Sequence, residues 1–550
     1  MVKPLVLIVL DGWGLAPPGP GNAISQASLS NIPHYSMSYP HTELAASGEA
    51  VGLPYGEDGN TETGHINIGA GRVVYQDLPR INLSVADSSF FTNDAFLAAI
   101  RYAQNHRSNL HMLGLMSDAG VHANREHLYA LLDLVSRQKT GAPPVYLHLF
   151  TDGRDAPPKS AIRFLREVEN HIHQSRVGSI ATIMGRYYAM DRDRRWERTQ
   201  RAYRALTEGT GRQAVSPEKA IDDAYTTGVT DEFIEPTIIL DKNGKMFPRI
   251  SDNDAVIFFN FRIDRPRQLT RAFILPNFET HTTRDSFDPY AVKYYAKHLV
   301  VEDTRKKPFV RTVVLQNLFF VTMTEYEKDL PCTVAYPPVR VPVPLGKVLT
   351  DAHIRQLRVA ETEKERFVGY YFNGMREDPY PGEDRLIVPS PKVATYDLKP
   401  EMSSLELTDK VIDRLSLGVY GFMLINFANP DMVAHTGNIG AAIKACEATD
   451  VCVGRIMEEI LRVDGACIIT GDHGNVEEML GADGGMDTEH STFPVPFMVI
   501  AKRFLGYPHH LPKGKLADVA PTLLCLLGLA VPPEMTGVNL LADFIQGGKT

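Results

Sequence analysis

Thr61, in the stretch NTETGH at residues 60–65, carries a hydroxyl that is a candidate nucleophile. Elsewhere in the chain lie acids and histidines of the kinds that bind paired divalent metals: Asp11, Asp431, His435, Asp472, His473 and His490. An alcohol beside two metal ions is suited to taking a phosphoryl group onto the protein. The same stretch has an alternative interpretation as a capped helix start, because Thr with a nearby Glu also forms an N-cap.

The spacing of these acids and histidines predicts how they could bind metal. Asp431 and His435 are four residues apart, which puts both on one face of a helix. Asp472 and His473 are adjacent, so in an extended loop they would face different metals. A mixture of imidazole and carboxylate suits Mn²⁺, Zn²⁺ or Co²⁺ better than Ca²⁺.

Three short apolar runs have the character of buried parallel strands, at residues 6–10, 422–427 and 466–470. Each is followed within a few residues by an acid, namely Asp11, Asp431 and Asp472. In open α/β sheets, ligands bind just outside the carboxyl ends of strands. We therefore predict an α/β fold in which one sheet is built from both ends of the chain and the middle is an insertion.

The length of 550 residues predicts at least two domains. Residues 76–79 and the proline-rich stretch 337–344 are candidate linkers. They predict a discontinuous metal-binding domain, 1–76 with 337–550, and an inserted substrate-binding domain, 77–336. Within the insertion we predict strands at 110–115 and 145–150 and a helix at 158–173, whereas residues 279–308 are polar and lack a clear period.

The inserted region is rich in arginine beside aspartate, at residues 152–155, 185–193 and 260–265. Converging guanidinium groups bind carboxylates and phosphates, so they indicate a small, multiply anionic substrate. The alternative is that these charges form surface ion pairs. Arg262 favours anion binding over surface ion pairs, because it lies at the end of the apolar run 256–259, which should be a buried strand.

Composition excludes several classes of function. The net charge of −9 argues against a nucleic-acid-binding protein. Five cysteines without any CxxC spacing indicate neither a disulfide framework nor a zinc–thiolate site, as expected in a reducing cytoplasm. The apolar run at residues 5–10 is too short for a signal peptide or a membrane span.

Several longer motifs, at residues 9–14, 64–72, 393–397, 429–432 and 471–475, occur in the same chain as the arginine motifs. Together they closely resemble the cofactor-independent phosphoglycerate mutases of the alkaline phosphatase superfamily. The resemblance implies an alkaline-phosphatase-like metal domain with a second α/β domain inserted in it. It implies interconversion of 3-phosphoglycerate and 2-phosphoglycerate through a phosphothreonine, without bisphosphoglycerate.

The resemblance also implies roles for individual residues. One metal would be held by Asp431, His435 and His490, and the other by Asp11, Asp472, His473 and the Thr61 hydroxyl. Catalysis would fall on Thr61, Asp155 and Lys364. Substrate contacts would fall on His122, Arg154, Asp155, Arg186, Arg192, Arg262, Arg265 and Lys364. We expect two divalent ions, Mn²⁺ first and Co²⁺ or Zn²⁺ as alternatives, and a cytoplasmic monomer that binds neither nucleic acid nor membrane.

Two features depart from the family pattern. The usual nucleophile is a serine, and Thr61 stands in its place. The region between Arg265 and Lys364 is longer than usual and matches poorly from about residue 279 to 333. A metal-dependent phosphatase or a phosphopentomutase-like enzyme on the same metal core is the leading alternative. A non-catalytic sensor of phosphorylated glycerate ranks last, because all the expected metal ligands are present.

Overall fold

The computed structural model describes residues 3–138, 141–280, 307–481 and 483–546. The chain divides into two compact units. Unit 1 is Met1–Pro79 with Val339–Thr550, and unit 2 is Arg80–Pro338. Residues 281–306, most of the segment without a clear period, lie outside the described residues.

The strands over the described residues are β1 (Leu5–Leu10), β2 (His41–Ala45), β3 (Leu110–Met116), β4 (Val145–Thr151), β5 (Ser179–Gly185), β6 (Arg212–Ala214), β7 (Thr237–Ile239), β8 (Ala255–Phe258), β9 (Phe319–Thr324), β10 (Thr333–Tyr336), β11 (Gln356–Glu361), β12 (Glu383–Val388), β13 (Phe422–Phe427), β14 (Ala466–Gly471), β15 (Val495–Ala501) and β16 (Gly514–Lys515).

The α-helices are α1 (Ala23–Gln26), α2 (Asn31–Ser38), α3 (Thr61–Ala70), α4 (Asp77–Ala86), α5 (Asp94–His106), α6 (Arg125–Ser136), α7 (Ala161–Ser175), α8 (Arg186–Ala189), α9 (Trp196–Thr207), α10 (Pro217–Thr226), α11 (Arg267–Ile274), α12 (Leu345–Asp351), α13 (Ser404–Ser416), α14 (Asn429–Ala434), α15 (Ile439–Arg462), α16 (Val519–Leu526) and α17 (Ala542–Gln546). A π-helix spans Phe367–Tyr371. Short 3₁₀ turns complete the set. None of the helices in the described ranges has the length and apolar content that crossing a bilayer requires.

Unit 1 contains an eight-stranded sheet in the order β12-β11-β13-β1-β14-β15-β2-β16. Its first five strands are mutually parallel, and β15 runs antiparallel to both β14 and β2. Every residue of β1 and β13 is buried, which explains why these strands are uniformly apolar rather than alternating. The prediction that both ends of the chain build one sheet is confirmed, because β1 pairs with β13 on one side and β14 on the other.

Unit 2 contains a second eight-stranded sheet, in the order β10-β9-β8-β3-β4-β5-β7-β6. The run from β10 to β5 is parallel, and β7 pairs antiparallel with β5. The predicted strands at 110–115 and 145–150 are β3 and β4, and the predicted helix at 158–173 is α7. Parallel strands joined by helices make unit 2 an α/β structure in its own right.

The division between the units falls at the end of the first predicted linker, residues 76–79, but most of that segment is helical. Residues 77–79 are the first turn of α4, and the division between the units falls inside this helix, after Pro79. Proline is tolerated in the first turn of a helix, where its missing N–H has no partner to lose. The second division falls after Pro338, within the proline-rich stretch.

Candidate active site

The three acids of unit 1 stand at the carboxyl ends of neighbouring parallel strands. Asp11 directly follows β1, Asp472 directly follows β14, and Asp431 lies in α14, just after β13. All three are at most 1 % exposed. Gly12 has a φ of +68°, and a Cβ added there would lie 2.8 Å from the Asp431 Cβ, so a side chain at this position would push two of the acids apart.

Thr61 is the first residue of α3, and its neighbour Asn60 caps the helix by accepting a hydrogen bond from the Thr63 N–H at 2.9 Å. The capped-start interpretation and the nucleophile interpretation are therefore compatible, since the cap leaves the Thr61 side chain free. The Thr61 Oγ1 lies 2.9 Å from Nε2 of His473. Helix α3 comes this close because Gly64 has no side chain: a Cβ there would lie 2.5 Å from the Asp472 carbonyl oxygen.

Asp431, His435 and His490 form one group. The His435 Nε2 lies 3.3 Å from Asp431 Oδ1, and the His490 Nε2 lies 3.5 Å from the same oxygen and 3.2 Å from the His435 Nε2. The prediction that Asp431 and His435 lie on one face of a helix is confirmed, because His435 directly follows α14 and keeps helical backbone angles.

Asp11, Asp472 and His473 form a second group with ligating atoms within 4.8 Å of one another. The His473 Nε2 lies 3.5 Å from Asp11 Oδ1 and 3.6 Å from Asp472 Oδ2. His473 also lies close enough to Asp431 and His490 to form a third grouping with them. The two predicted ligand sets are thus adjacent, with His473 where they meet.

The orientation of the imidazoles fits metal binding. The His435 Nδ1 bonds the Thr488 carbonyl at 2.7 Å, and the His473 Nδ1 bonds the Gly474 carbonyl at 3.2 Å. In a neutral ring, a carbonyl partner fixes the proton on Nδ1 and leaves Nε2 as a lone-pair donor, the arrangement usual for metal-ligating histidines. Carboxylates and imidazoles presented in this way suit two divalent ions.

Lys364 forms hydrogen bonds to one acid of each ligand group. Its ammonium donates to Asp11 Oδ1 at 2.6 Å, to Asp431 Oδ2 at 2.7 Å and to Thr61 Oγ1 at 3.1 Å, and the residue is 3 % exposed. Burial opposes its charge, but Asp11 and Asp431 together raise the pKa of Lys364 above its usual value. Lys364 is therefore a fixed cation beside the candidate nucleophile.

Attraction between opposite charges also shifts the pKa values of two neighbouring groups, His473 and Asp472. Burial disfavours the charge on His473, yet the Asp472 carboxylate raises the pKa of His473 to about 10. Burial also disfavours the charge on Asp472, which alone would raise its pKa, but His473 lowers the pKa of that carboxyl to about 2. In the metal-free protein the imidazole thus carries a proton, which a bound metal would have to displace.

Sequence reasoning missed two buried residues behind the acids. The Asn426 side-chain amide donates to Asp11 Oδ2 at 2.7 Å and lies 3.2 Å from Nε2 of His65. The Nδ1 of His65 lies 3.2 Å from Asp472 Oδ2 and 3.0 Å from the Thr61 carbonyl oxygen. A polar Asn inside the apolar run of β13 was the available signal, because a buried amide requires partners.

In unit 2 the predicted substrate residues lie at the carboxyl ends of β3, β4, β5 and β8, which are neighbours in the sheet. They occupy the loops after these strands or the start of the next helix: His122, Arg154, Asp155, Arg186, Arg192, Arg262 and Arg265. Parallel neighbouring strands bring these loops to one edge of the sheet, where α/β proteins bind ligands.

Arg186 is the buried centre of this cluster. Its Nη1 donates to Asp152 Oδ1 at 2.6 Å and to Asp155 Oδ2 at 2.5 Å, while its Nε and Nη2 have no hydrogen-bond partner. His122 lies 3.7 Å from Asp155 on one side and 3.7 Å from Asp264 on the other. Burial and nearby guanidinium groups, first that of Arg186, outweigh Asp264 and lower the pKa of His122 to about 4.

The other arginines are more exposed. Arg192 donates to Asp264 at 2.7 Å, and Arg262 lies 3.5 Å from the same carboxylate; their side chains are 48 % and 51 % exposed. Arg154 is 52 % exposed and lies 3.7 Å from Glu232. Ion pairing therefore accounts for part of the cluster, as the alternative interpretation held. Burial, with the charges of Arg186 and Arg192, lowers the pKa of Arg265 to about 10, which reflects a local excess of positive charge.

Comparisons with known proteins identify the family of the chain. Residues 81–328 match the family model described as the BPG-independent PGAM N-terminus. The chain is 50 % identical over 539 residues to a 2,3-bisphosphoglycerate-independent phosphoglycerate mutase of Moorella thermoacetica, covering 98 % of each protein. A relative with the same description from Chloroflexus aggregans is 49 % identical over 546 residues, again covering 98 % of each. The chain belongs to this family.

A solved phosphoglycerate mutase structure from Leishmania mexicana, at low cobalt concentration, is 28 % identical and covers 98 % of both chains with a TM-score of 0.54. The predicted fold class, an α/β unit with a second α/β unit inserted in it, is confirmed. The enzyme is an isomerase that interconverts 3-phosphoglycerate and 2-phosphoglycerate without a bisphosphoglycerate cofactor. Membership of this family favours the mutase over the phosphatase, the phosphopentomutase and the sensor.

Proposed function

We propose that the enzyme transfers the phosphoryl group through a phosphothreonine at Thr61. The observation that carries this proposal is the position of the Thr61 Oγ1, buried 3.1 Å from the Lys364 ammonium and 2.9 Å from the His473 Nε2. A hydroxyl among such groups can act as a nucleophile, because positive charge stabilises the oxygen after it loses its proton.

Two divalent ions complete the proposed site. Asp431, His435 and His490 would hold one, and Asp11, Asp472, His473 and the Thr61 hydroxyl would hold the other. Bound ions would polarise the phosphoryl oxygens and favour loss of the Thr61 proton. Mn²⁺ is the proposed metal, with Co²⁺ or Zn²⁺ as alternatives, because the donors are imidazoles and carboxylates.

The residues of the chain supply the remaining steps. The Thr61 hydroxyl first loses its proton to solvent. As its oxygen then bonds to phosphorus, the bond from phosphorus to the glycerate oxygen breaks, and the glycerate oxygen keeps the electron pair. Asp155 would protonate the departing oxygen and take a proton from the other hydroxyl, acting as acid and then base. Lys364 would offset negative charge on the transferring group. The second transfer reverses these bonds at the other glycerate oxygen.

We propose that unit 2 is the substrate-binding unit and unit 1 the metal-binding unit. Arg186, Arg265 and His122 support this assignment, because each has a buried nitrogen without a hydrogen-bond partner. Such nitrogens can bind carboxylate or phosphate oxygens. Arg154, Arg192 and Arg262 would complete the anion site by exchanging their present partners for substrate, and Lys364 would contact the phosphoryl group.

Trapping the intermediate tests the nucleophile. With labelled phosphoglycerate and a rapid acid quench, label should appear on Thr61. Thr61→Ala should lose mutase activity by a factor on the order of 10⁶, as removal of a nucleophile does elsewhere, while still binding both metals. Thr61→Ser is the matched control and should remain active, because it keeps the hydroxyl and loses only the methyl that stiffens χ1. Substantial mutase activity in Thr61→Ala would refute the phosphothreonine.

We also propose that the enzyme is a cytoplasmic monomer. The five cysteines are free, which is usual in a reducing compartment. Sedimentation equilibrium should give a mass of about 61.1 kDa, that of one chain. A mass of twice this value would refute the monomer.

A further inference from the structure

Glu477 is a buried acid to which the reaction assigns no role. It is 2 % exposed, and among the described residues no lysine, arginine or histidine forms an ion pair with it. Its Oε2 accepts hydrogen bonds from the backbone N–H groups of Gly14 and Asn475, each at 2.9 Å. Its Oε1 accepts a short hydrogen bond from the hydroxyl of Ser491. A buried carboxylate is costly unless it is well bonded, and here neutral donors do all of the bonding.

The three donors come from three segments that carry candidate metal ligands. Gly14 lies just after Asp11, Asn475 lies just after His473, and Ser491 directly follows His490. The segment of Gly14 is far in sequence from Glu477, whereas those of Asn475 and Ser491 are near it, and one carboxylate bonds to all three.

Glu477 is also connected, through Asn475, to a fourth candidate ligand, Asp431. The side-chain amide of Asn475 donates to Asp431 Oδ1 at 2.8 Å, and Asn475 is 1 % exposed. Because Glu477 holds the backbone N–H of Asn475, it also determines where that amide meets Asp431. Glu477 is therefore connected to both ligand groups.

The backbone leaves room for this carboxylate at two glycines. A Cβ added at Gly14 would lie 2.2 Å from Glu477 Oε1, and one added at Gly474 would lie 2.2 Å from the same atom. Real Cβ atoms do not come this close, so any side chain at either position would displace the carboxylate.

We propose that Glu477 is a positioning residue for the metal centre, which sets the separation and orientation of the ligand-bearing segments through its three hydrogen bonds. The inference rests on the proposed metal ligands. Partners behind the ligands typically change metal affinity or activity by about 10–100-fold when they are removed. The effect arises before substrate binds, so metal affinity reports it directly.

The test measures Mn²⁺ binding to the full-length, metal-stripped protein by electron paramagnetic resonance of free Mn²⁺. Glu477→Ala should weaken binding by about 10–100-fold. Glu477→Gln should bind close to the parent, because its carbonyl oxygen can accept from Gly14 and Asn475 while its amide donates to the Ser491 oxygen. Glu478→Ala, at the exposed neighbouring acid, is the matched control and should bind as the parent does.

Each outcome is decisive. Parent-like affinity in Glu477→Ala overturns the inference, and so does a loss in Glu477→Gln equal to that in Glu477→Ala, which would assign the effect to charge. If Glu477→Ala does not fold, Ser491→Ala decides, since it removes one donor only, and unchanged affinity there overturns the inference. Asp431→Ala in the same titration separates the two proposals: if it binds both ions normally, the proposed metal ligands themselves are wrong.

Discussion

Replacing Lys364 with methionine should destabilise the metal-free enzyme and have a smaller effect on the metal-bound enzyme. Methionine keeps the length of the side chain but removes the charge that pairs with Asp11 at 2.6 Å and Asp431 at 2.7 Å. Removing one partner of a buried ion pair costs about 3–5 kcal/mol, because the remaining charge is left unpaired. Here two carboxylates lose the same partner.

The assay is thermal unfolding with EDTA and with Mn²⁺. At about 2–4 °C per kcal/mol, the melting midpoint of Lys364→Met should lie roughly 6–20 °C below that of the parent in EDTA. Bound metal should narrow this gap, because divalent ions offset the same carboxylates. Lys410→Met, which breaks an exposed ion pair with Glu406, is the control and should change the midpoint little.

Two results would refute the reasoning. An unchanged midpoint of Lys364→Met in EDTA would mean that the buried acids do not depend on this cation. An equal gap in EDTA and in Mn²⁺ would mean that methionine disturbs packing and not charge.

Three further predictions concern the metal ions, the arginine cluster and His127, a buried histidine of α6. Chelation should abolish mutase activity and Mn²⁺ should restore it; full turnover in EDTA, with metal loss confirmed by elemental analysis, would contradict the two-metal proposal. Arg262→Ala and Arg192→Ala should impair phosphoglycerate turnover far more than hydrolysis of an aryl phosphate, which has no carboxylate for them to bind; equal losses would indicate a role in the fold. Burial lowers the pKa of His127 to about 3, so the unfolded chain binds a proton below pH 6.5 that the folded protein excludes, and folding stability is lost as pH falls through that window. From pH 7 to pH 5 this lowers the free energy of unfolding, measured by urea titration, by about 2 kcal/mol. The variant His127→Gln should lack this contribution. Identical pH profiles of stability in the parent and in His127→Gln would refute the prediction.

The central strands and their acids were predictable because the signals are local. An apolar run followed by an acid identified the ends of β1 and β14, and the parallel pairing of these strands brings Asp11 and Asp472 together. The residue types of the candidate ligands, imidazoles and carboxylates, then favoured Mn²⁺, Zn²⁺ or Co²⁺ over Ca²⁺. The same local reasoning did not reveal the helix that begins at Asp77, since proline occurs both in linkers and in the first turns of helices.

Glu477, Asn475 and Asn426 could not be assigned in the same way. Their partners are backbone N–H groups or side chains far away in sequence, and a backbone donor leaves no trace in residue type. The edge strands β2 and β16 of the first sheet were also missed, because they are short and weakly apolar. Long-range contacts of this kind become visible only once the fold is known.

The position of β1 at the middle of its sheet has a consequence for synthesis of the chain. This strand is made several hundred residues before its neighbours β13 and β14, which begin at Phe422 and Ala466. Unit 2 is contiguous and can fold during translation, while β1 must wait, apolar on both faces, for most of the chain to be made. During this interval β1 is prone to misassociation, which binding by a chaperone would prevent.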